Sequence, residues 1–230
     1  MAPHDTFLRL DDFEQLIRHR HSCRAFLNQP VAKERISRLL SAAQQTASWC
    51  NAQPWQVHIV SGTRLEILRE ALIAKAATGA QPTPDLDWPE TYKGDYQSRR
   101  RECGWSLYRA VGIRQGDRVA AKAQANENFR LFGAPHLAVV SSPELLGTHG
   151  VMDCGAWVSN FMLAAAAMGI ASIAQAAVAS WPDVLRRHLG IASDRRIVCG
   201  ISFGIEDSDH PANRFRTSRA PLAEVAVWID

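Results

Sequence analysis

The sequence predicts an α+β domain, in which helices alternate with a few widely spaced strands. Apolar residues recur at helical spacing at 36–43 and at 154–165, and the second pattern lasts three turns. With 230 residues and 47% hydrophobic content, the chain has enough apolar material for one sizeable domain, expected to span 1–230. Short runs of β-branched residues closed by turn-forming residues predict strands at 57–62, 136–142 and 197–205.

The helical patterns place three elements. The first helix is predicted from Asp12 to Arg20, with Asp12 as its N-cap and Gln15 in the capping-box position three residues later. The second is predicted from about Ala32 to Ala47, with one buried stripe. The pattern at 154–165 predicts a central helix that is apolar over one wide face.

Two other regions depart from this order. At about 80–128, Pro, Asp and Tyr become frequent before helical spacing resumes, so we expect an inserted excursion of the same domain that covers the active site. Near the end of the chain, Val225–Trp228 predicts a strand with no local neighbour. An unpaired edge of that kind favours pairing with another subunit. The residues of the excursion expected to pack into the core are Trp105, Leu107 and Tyr108.

Charge and cysteine content exclude several classes of protein. The net charge is +3, from 26 basic and 23 acidic residues, which is too balanced for a protein that mainly neutralises nucleic acid. Five cysteines, an odd number, favour reduced thiols and a cytoplasmic location. The first residues show no secretory leader, and no run of about 18 apolar residues predicts a membrane span.

The stretch RHRHSCRAF, 18–26, is the densest concentration of positive charge near the start of the chain. If it is extended, Arg20, Ser22 and Arg24 share one side, with His21 and Cys23 on the other. Two guanidiniums flanking a hydroxyl suit a bound phosphate. The alternative is that the arginines complement the negative end of the first helix. NRFRTSR, 213–219, supplies three more arginines, or is a solvated surface run.

NAQPW, 51–55, places two amides two residues apart, a pattern that suits the edge of a heterocycle. Its alternative is a helix end followed by a proline turn. The sequence has no GxGxxG after a strand, no P-loop and no GxSxG, and no CxxC or HExxH for a metal. We therefore expect neither a Rossmann dinucleotide site nor a metal centre.

Taken together, these segments resemble the FMN-dependent nitroreductase family, including its nitrobenzoate reductases. RHSCR at 20–24 is similar to the family's Arg-x-Ser-x-Arg/Lys motif, and ASWCNAQPW at 47–55 to its Pro-Ser-x-x-Asn-x-Gln-Pro-Trp motif. GIASIAQAAVASWPDVLRRHLGIA at 169–192 and the C-terminal NRFRTSR region also match in order. The resemblance implies a mainly antiparallel sheet flanked by helices, with a C-terminal segment that extends onto the partner subunit of a homodimer.

The resemblance also implies roles for individual residues. Arg20 and Ser22, with His21 in the same motif, would hold the FMN phosphate, and Arg24 would face the N1/O2 side of the flavin ring. The backbone amide near Ala176 would approach N5, so the protein tunes the flavin, which carries the chemistry. The remaining implied contacts are Arg216 and Arg219 to the phosphate, Ser48 and Asn51 to the partner subunit's flavin, Gln175 beside N5, and Asn128 at the ring edge.

The implied activity is ping-pong hydride transfer from NADH or NADPH to a nitroaromatic or quinone-like acceptor. Relatives that reduce alkenes, dehalogenate iodinated tyrosines or break down flavin share the cradle, and an FMN-sequestering protein is a further alternative. Three departures concern substrate preference: Ala47 replaces the family's Pro, Trp49 stands at a usually small position, and AQAA lacks a Gly. The run Arg99–Arg101 favours either an anionic acceptor or a solvated face.

Overall fold

The fold is built around one long strand. The computed structural model describes residues 9–229, and the opening residues on which the expectation of no leader rests lie outside this range. The helices are α1 Leu10–His19, α2 Lys33–Ala43, α3 Gly62–Ala77, α4 Gly94–Ala110, α5 Arg118–Asn126, α6 Gly147–Ala167 and α7 Pro182–Leu189. The strands are β1 Phe26–Leu27, β2 Gln56–Ser61, β3 His136–Pro143, β4 Ala171–Gln175 and β5 Arg195–Glu206.

All five strands pair antiparallel, in the order β1-β5-β3-β2, with β4 also paired to β5. β5 is buried without interruption from Cys199 to Gly204, within its apolar run from Ile197 to Ile205. β4 and β1 follow one another along the edge of β5 opposite β3, with Ala171 opposite Gly204 and Phe26 opposite Glu206. The predicted α+β class and mainly antiparallel sheet are confirmed.

Helices cover both faces of the sheet. α2 and α6 pack on one face, where Trp157 and Phe161 of α6 are buried and stack with ring centroids 5.2 Å apart. α3 and α7 cover the other face with a leucine-rich layer. Truncating a core aromatic residue costs about 3–5 kcal/mol. The central helix predicted from the pattern at 154–165 is confirmed as α6, which extends beyond that pattern at both ends.

The predicted ends of the first two helices are wrong. α1 begins at Leu10, its N-cap is Arg9 without a side-chain cap, and Asp12 lies inside the first turn. There, its charge favours the positive end of the helix dipole. The predicted α2 runs too long, because the chain turns after Ala43 and the Thr46 hydroxyl donates to the carbonyl of Ala43. None of the helices in the described range is long and apolar enough to cross a membrane.

One further expectation is wrong, and a second, pairing of the C-terminal run with another subunit, stays a prediction. α4 and α5, within the predicted excursion, have no buried residues, and Trp105 is 38% exposed, so Trp105, Leu107 and Tyr108 do not enter the core. Val225–Trp228 forms no strand; it follows a short turn at Leu222–Glu224, and the chain offers it no neighbouring strand within 9–229. A β-forming sequence needs a ladder partner before it can become a strand.

Candidate active site

The basic stretch runs along the outer edge of β4. The backbone N–H of Cys23 donates to the carbonyl of Ser172 at 3.2 Å, and Ser22 pairs with Ser172 in an isolated parallel bridge. Cys23 is buried, and this burial raises the pKa of its thiol to about 12. Arg20, Ser22 and Arg24 all line a cavity of about 370 Å³. The predicted grouping of these three residues is therefore present in the structure.

His21 is fixed to the protein by both ring nitrogens. Nδ1 lies 3.1 Å from the carbonyl of His19, and Nε2 lies 2.9 Å from Oε1 of Glu206 at the end of β5. The residue lines the same cavity, so the expectation that it lies on the side opposite Arg20, Ser22 and Arg24 is wrong. Its ring therefore anchors the basic stretch to β5, and its side-chain hydrogen-bonding capacity is already used.

The C-terminal loop closes the other side of this cavity with Arg216 and Arg219. Asn213 holds the loop in place: it is 3% exposed, and its Oδ1 accepts from the backbone N–H of Arg24 at 2.7 Å. Its Nδ2 donates to the carbonyls of Ala25 and Asp207 at 2.9 and 2.8 Å. The two basic segments, nearly 190 residues apart, are thus joined through one amide.

The cavity concentrates positive charge without a balancing carboxylate. Within 9–229, no carboxylate lies within 4.0 Å of the guanidiniums of Arg20, Arg24, Arg216 or Arg219. Burial, and secondarily the charge of Arg219, lower the pKa of Arg20, and burial also lowers the pKa of Arg24. Both effects disfavour the cationic form, and attraction to an anion in the cavity would offset them. This cavity is built for a multiply charged anion.

A groove of about 600 Å³ begins beside this cavity and shares Arg24 and Cys103 with it. Parts of α4, α5 and β4 form its walls. Trp105 and Tyr108 meet edge to face, with ring centroids 5.8 Å apart, and Phe132 adds a third ring to the lining. The side chains of α4 that were expected in the core therefore line an open groove of a size that suits an aromatic ring system.

Gln175 and Asn128 form the polar wall of this groove. The buried Gln175 donates from Nε2 to the carbonyl and the Oδ1 of Asn128 at 3.0 and 3.2 Å, and its Oε1 accepts from the Ser202 hydroxyl. These bonds fix the end of β4. Ala176 follows directly, exposed on the groove, where the chain enters a short 3₁₀ turn.

Ser48 and Asn51 lie elsewhere. They belong to a tight turn in which Cys50, Asn51 and Gln53 have positive φ, and the Ser48 hydroxyl accepts from the backbone N–H of Gln53 at 3.0 Å. Neither residue lines the arginine cavity or the groove of its own chain. Trp49 is 61% exposed and packs against the His149 ring, 4.2 Å between centroids. The structure therefore gathers eight of the ten predicted site residues in one place and leaves these two apart.

Sequence reasoning missed the residues that hold or line the site without carrying its main charge. Asn213 is the first residue of the basic run NRFRTSR, and nothing in the sequence indicated that its side chain is buried. Phe215, whose ring lies 5.2 Å below the Arg24 guanidinium, and Cys103 gave no signal. The described residues contain no cluster of three or more side chains suited to a metal ion.

The model of the nitroreductase family matches residues 17–205, most of the chain. The chain belongs to the nitroreductase family. This nitroreductase is 35% identical over 212 residues to nitroreductase NfnB of Mycolicibacterium smegmatis, which covers 92% of this chain and 90% of the relative. It is 28% identical over 224 residues to a 4-nitrobenzoate reductase of Nocardioides sp., with 96% and 91% covered. The resemblance found in the motifs is confirmed.

Solved structures agree. NfnB from Mycobacterium smegmatis in complex with NADPH superposes with a TM-score of 0.90 at 34% identity, covering 95% of this chain and 98% of that one. The FMN and NADPH-dependent nitroreductase NfnB from sphigopyxis sp. strain HMH gives a TM-score of 0.91 at 31% identity, covering 94% and 98%. The nitroreductase fold thus extends over nearly the whole chain.

Proposed function

We propose that this nitroreductase binds FMN and uses NADH or NADPH to reduce nitroaromatic or quinone-like acceptors in a ping-pong reaction. The observation that carries the proposal is the arginine cavity, four guanidiniums without a carboxylate partner in the described chain, opening into an aromatic groove. The relatives support it, since the named structures are FMN- and NADPH-dependent or hold NADPH.

The arginine cavity fits the phosphate of FMN. Arg20 and Ser22 contribute from the first basic segment, and Arg216 and Arg219 from the C-terminal loop. A guanidinium donates two parallel hydrogen bonds to phosphate oxygens, and a hydroxyl adds one shorter hydrogen bond. Burial and the neighbouring charge of Arg219 disfavour the cationic form of Arg20 and lower its pKa, and a bound dianion would offset both effects. His21 contributes by fixing the backbone of the motif to Glu206.

The groove fits the ring. When bound, FMN supplies the ring that accepts a hydride from one substrate and delivers electrons to the next. Arg24 lines both the cavity and the groove, so with FMN bound its charge would stabilise negative charge that develops on the N1/O2 side of the ring. Its guanidinium is held by the carbonyl of Ser22 at 3.1 Å and by the Phe215 ring, which leaves it little freedom to move away.

The end of β4 positions the reacting edge. The bonds from Gln175 to Asn128 and Ser202 fix the backbone from which Ala176 enters the groove. We assign the Ala176 amide to the N5 side of the ring and Asn128 to its edge. Because one open groove serves both substrates in turn, a separate nicotinamide-binding domain is unnecessary.

The active assembly that we propose is a homodimer in the cytoplasm, with 1–230 as one domain and the segment 80–128 over the groove. The apolar side chains of Phe13 and Ile17 on α1, and of Trp228 near the C-terminus, are exposed in one chain. These side chains are available for contact with a second copy of the chain. In the dimer, the C-terminal segment extends onto the partner, and Ser48 and Asn51 reach its site.

The test is FMN binding by the purified apo-protein. Arg20→Gln should weaken FMN about tenfold to a hundredfold, since a charged hydrogen bond contributes about 1.5–3 kcal/mol. Arg38→Gln, an exposed arginine on α2 outside both cavities, is the matched control. Equal FMN affinity in the Arg20 variant and in the control would remove the arginine cavity as the phosphate site.

A further inference from the structure

The basic run on α4 is divided between two surfaces. Arg99 turns away from the groove, and its Nη2 donates to Glu224 at 2.6 Å. Arg100 and Arg101 line the groove instead. The sequence of Arg99–Arg101 favoured either a site for an anionic acceptor or a solvated face. In the structure, Arg99 forms an ion pair, and Arg100 and Arg101 line the groove.

The charges that line the groove are all positive. Arg24, Arg100 and Arg101 contribute three guanidiniums, and no Asp or Glu is among the lining residues. The Arg100 guanidinium lies over the Tyr92 ring at 5.2 Å from its centroid. Neither Arg100 nor Arg101 has a carboxylate within 4.0 Å anywhere in 9–229. Both side chains are exposed, as in a solvated run, but unlike Arg99 they line the groove together with the rings of Trp105 and Tyr108.

The same helix places aromatic rings beside these charges. Arg101, Trp105 and Tyr108 follow at intervals of four and three residues, so they share one face of α4. Arg101 lies about one helical turn, ~6 Å along the axis, from Trp105. The groove thus offers flat apolar contact and, at one end, cationic contact.

We propose that Arg100 and Arg101 form an anion subsite for a carboxylate or phosphate on a ligand whose aromatic part lies along Trp105 and Tyr108. This inference rests on the proposed function and adds a preference for anionic over neutral ligands. Two ligands of the reaction carry such a group: an acceptor with a carboxylate on its aromatic ring, and NADPH, which differs from NADH by one phosphate. The chemistry is shared, and the experiment separates the two sources.

The experiment compares Arg100→Gln, Arg101→Gln and the double variant in the FMN-loaded enzyme. Arg109→Gln is the matched control, because Arg109 is exposed on the same helix and lines neither cavity. The ratio of kcat/KM for 4-nitrobenzoate to that for neutral 4-nitrobenzamide is measured, together with the NADPH to NADH ratio. We expect about a threefold to fivefold fall in one ratio for each single variant, as for a partly exposed ion pair, and about tenfold for the double variant.

Binding provides a readout independent of turnover. Calorimetric titration with benzoate against benzamide, and with NADP⁺ against NAD⁺, should show the same preference and the same loss in the double variant. A fall confined to the benzoate arms identifies the acceptor carboxylate, and a fall confined to the nucleotide arms identifies the phosphate. If all ratios match the control, Arg100 and Arg101 form no subsite. If the protein binds the anions but does not turn over, the proposed function fails and the subsite stands.

Discussion

The amide of Asn213 joins the two basic segments of the site, so its removal should damage both folding and FMN binding. Asn213→Ala deletes the three hydrogen bonds of this buried amide, to the backbones of Arg24, Ala25 and Asp207. At about 1 kcal/mol net for each bond, the free energy of unfolding should fall by about 3 kcal/mol. Urea unfolding of the apo-protein measures this loss.

The same variant frees the loop that carries Arg216 and Arg219, so its FMN dissociation constant should rise at least tenfold, about 1.4 kcal/mol. The matched control is Asn28→Ala, an exposed asparagine between β1 and α2, which should change neither quantity appreciably. If Asn213→Ala unfolds within about 0.5 kcal/mol of the parent protein and binds FMN equally well, the amide does not hold the site together.

Three other predictions follow from buried groups. Gly200→Ala would place a Cβ 2.7 Å from Cγ1 of the buried Val178, so urea unfolding should show a loss of about 1–3 kcal/mol; an unchanged midpoint would refute the tight approach. Burial lowers the pKa of His136 below 6.5, so the unfolded chain takes up a proton first and the free energy of unfolding falls as pH drops through about 6.5; His136→Gln should flatten that slope. In the native protein, rapid labelling by a thiol reagent should be confined to Cys50 and Cys103, which are exposed and partly exposed in the single chain. Burial raises the pKa of three thiols to about 12, 11 and 12, so these should react only on unfolding: Cys23, Cys154 and Cys199.

The sheet and the central helix could be predicted because their patterns are local. β5 has an apolar run from Ile197 to Ile205 that only Ser202 interrupts, and the α6 pattern repeats over three turns, so either element can be predicted without its partner. β4 could not be found in the same way. Its five residues, ASIAQ, become a strand because β5 offers an edge from Gly200 to Gly204. Val225–Trp228 is the opposite case: its residues favour a strand, but within 9–229 no strand edge lies beside it for pairing.

The site was predictable where charge spacing carried the information. Arg20, Ser22 and Arg24 face one cavity because the chain beside β4 is extended, as their alternation indicated. The groove was not predictable, because Trp105 and Tyr108 have the composition of core residues and only the position of α4 shows that they line an open surface. The motifs were enough to identify the family. Only the structure shows that Asn213 joins the two basic segments and that Arg99 lies apart from Arg100 and Arg101.

The most direct test of the proposed function is the absorption spectrum of the purified protein, recorded without air, before and after addition of NADPH or NADH. The proposed function predicts a yellow protein with one FMN for each chain, whose colour bleaches with at least one nucleotide and returns when a nitroarene is added. Colour that neither nucleotide bleaches would indicate FMN storage without turnover. A protein that takes up no FMN would contradict the whole assignment of the arginine cavity and the groove.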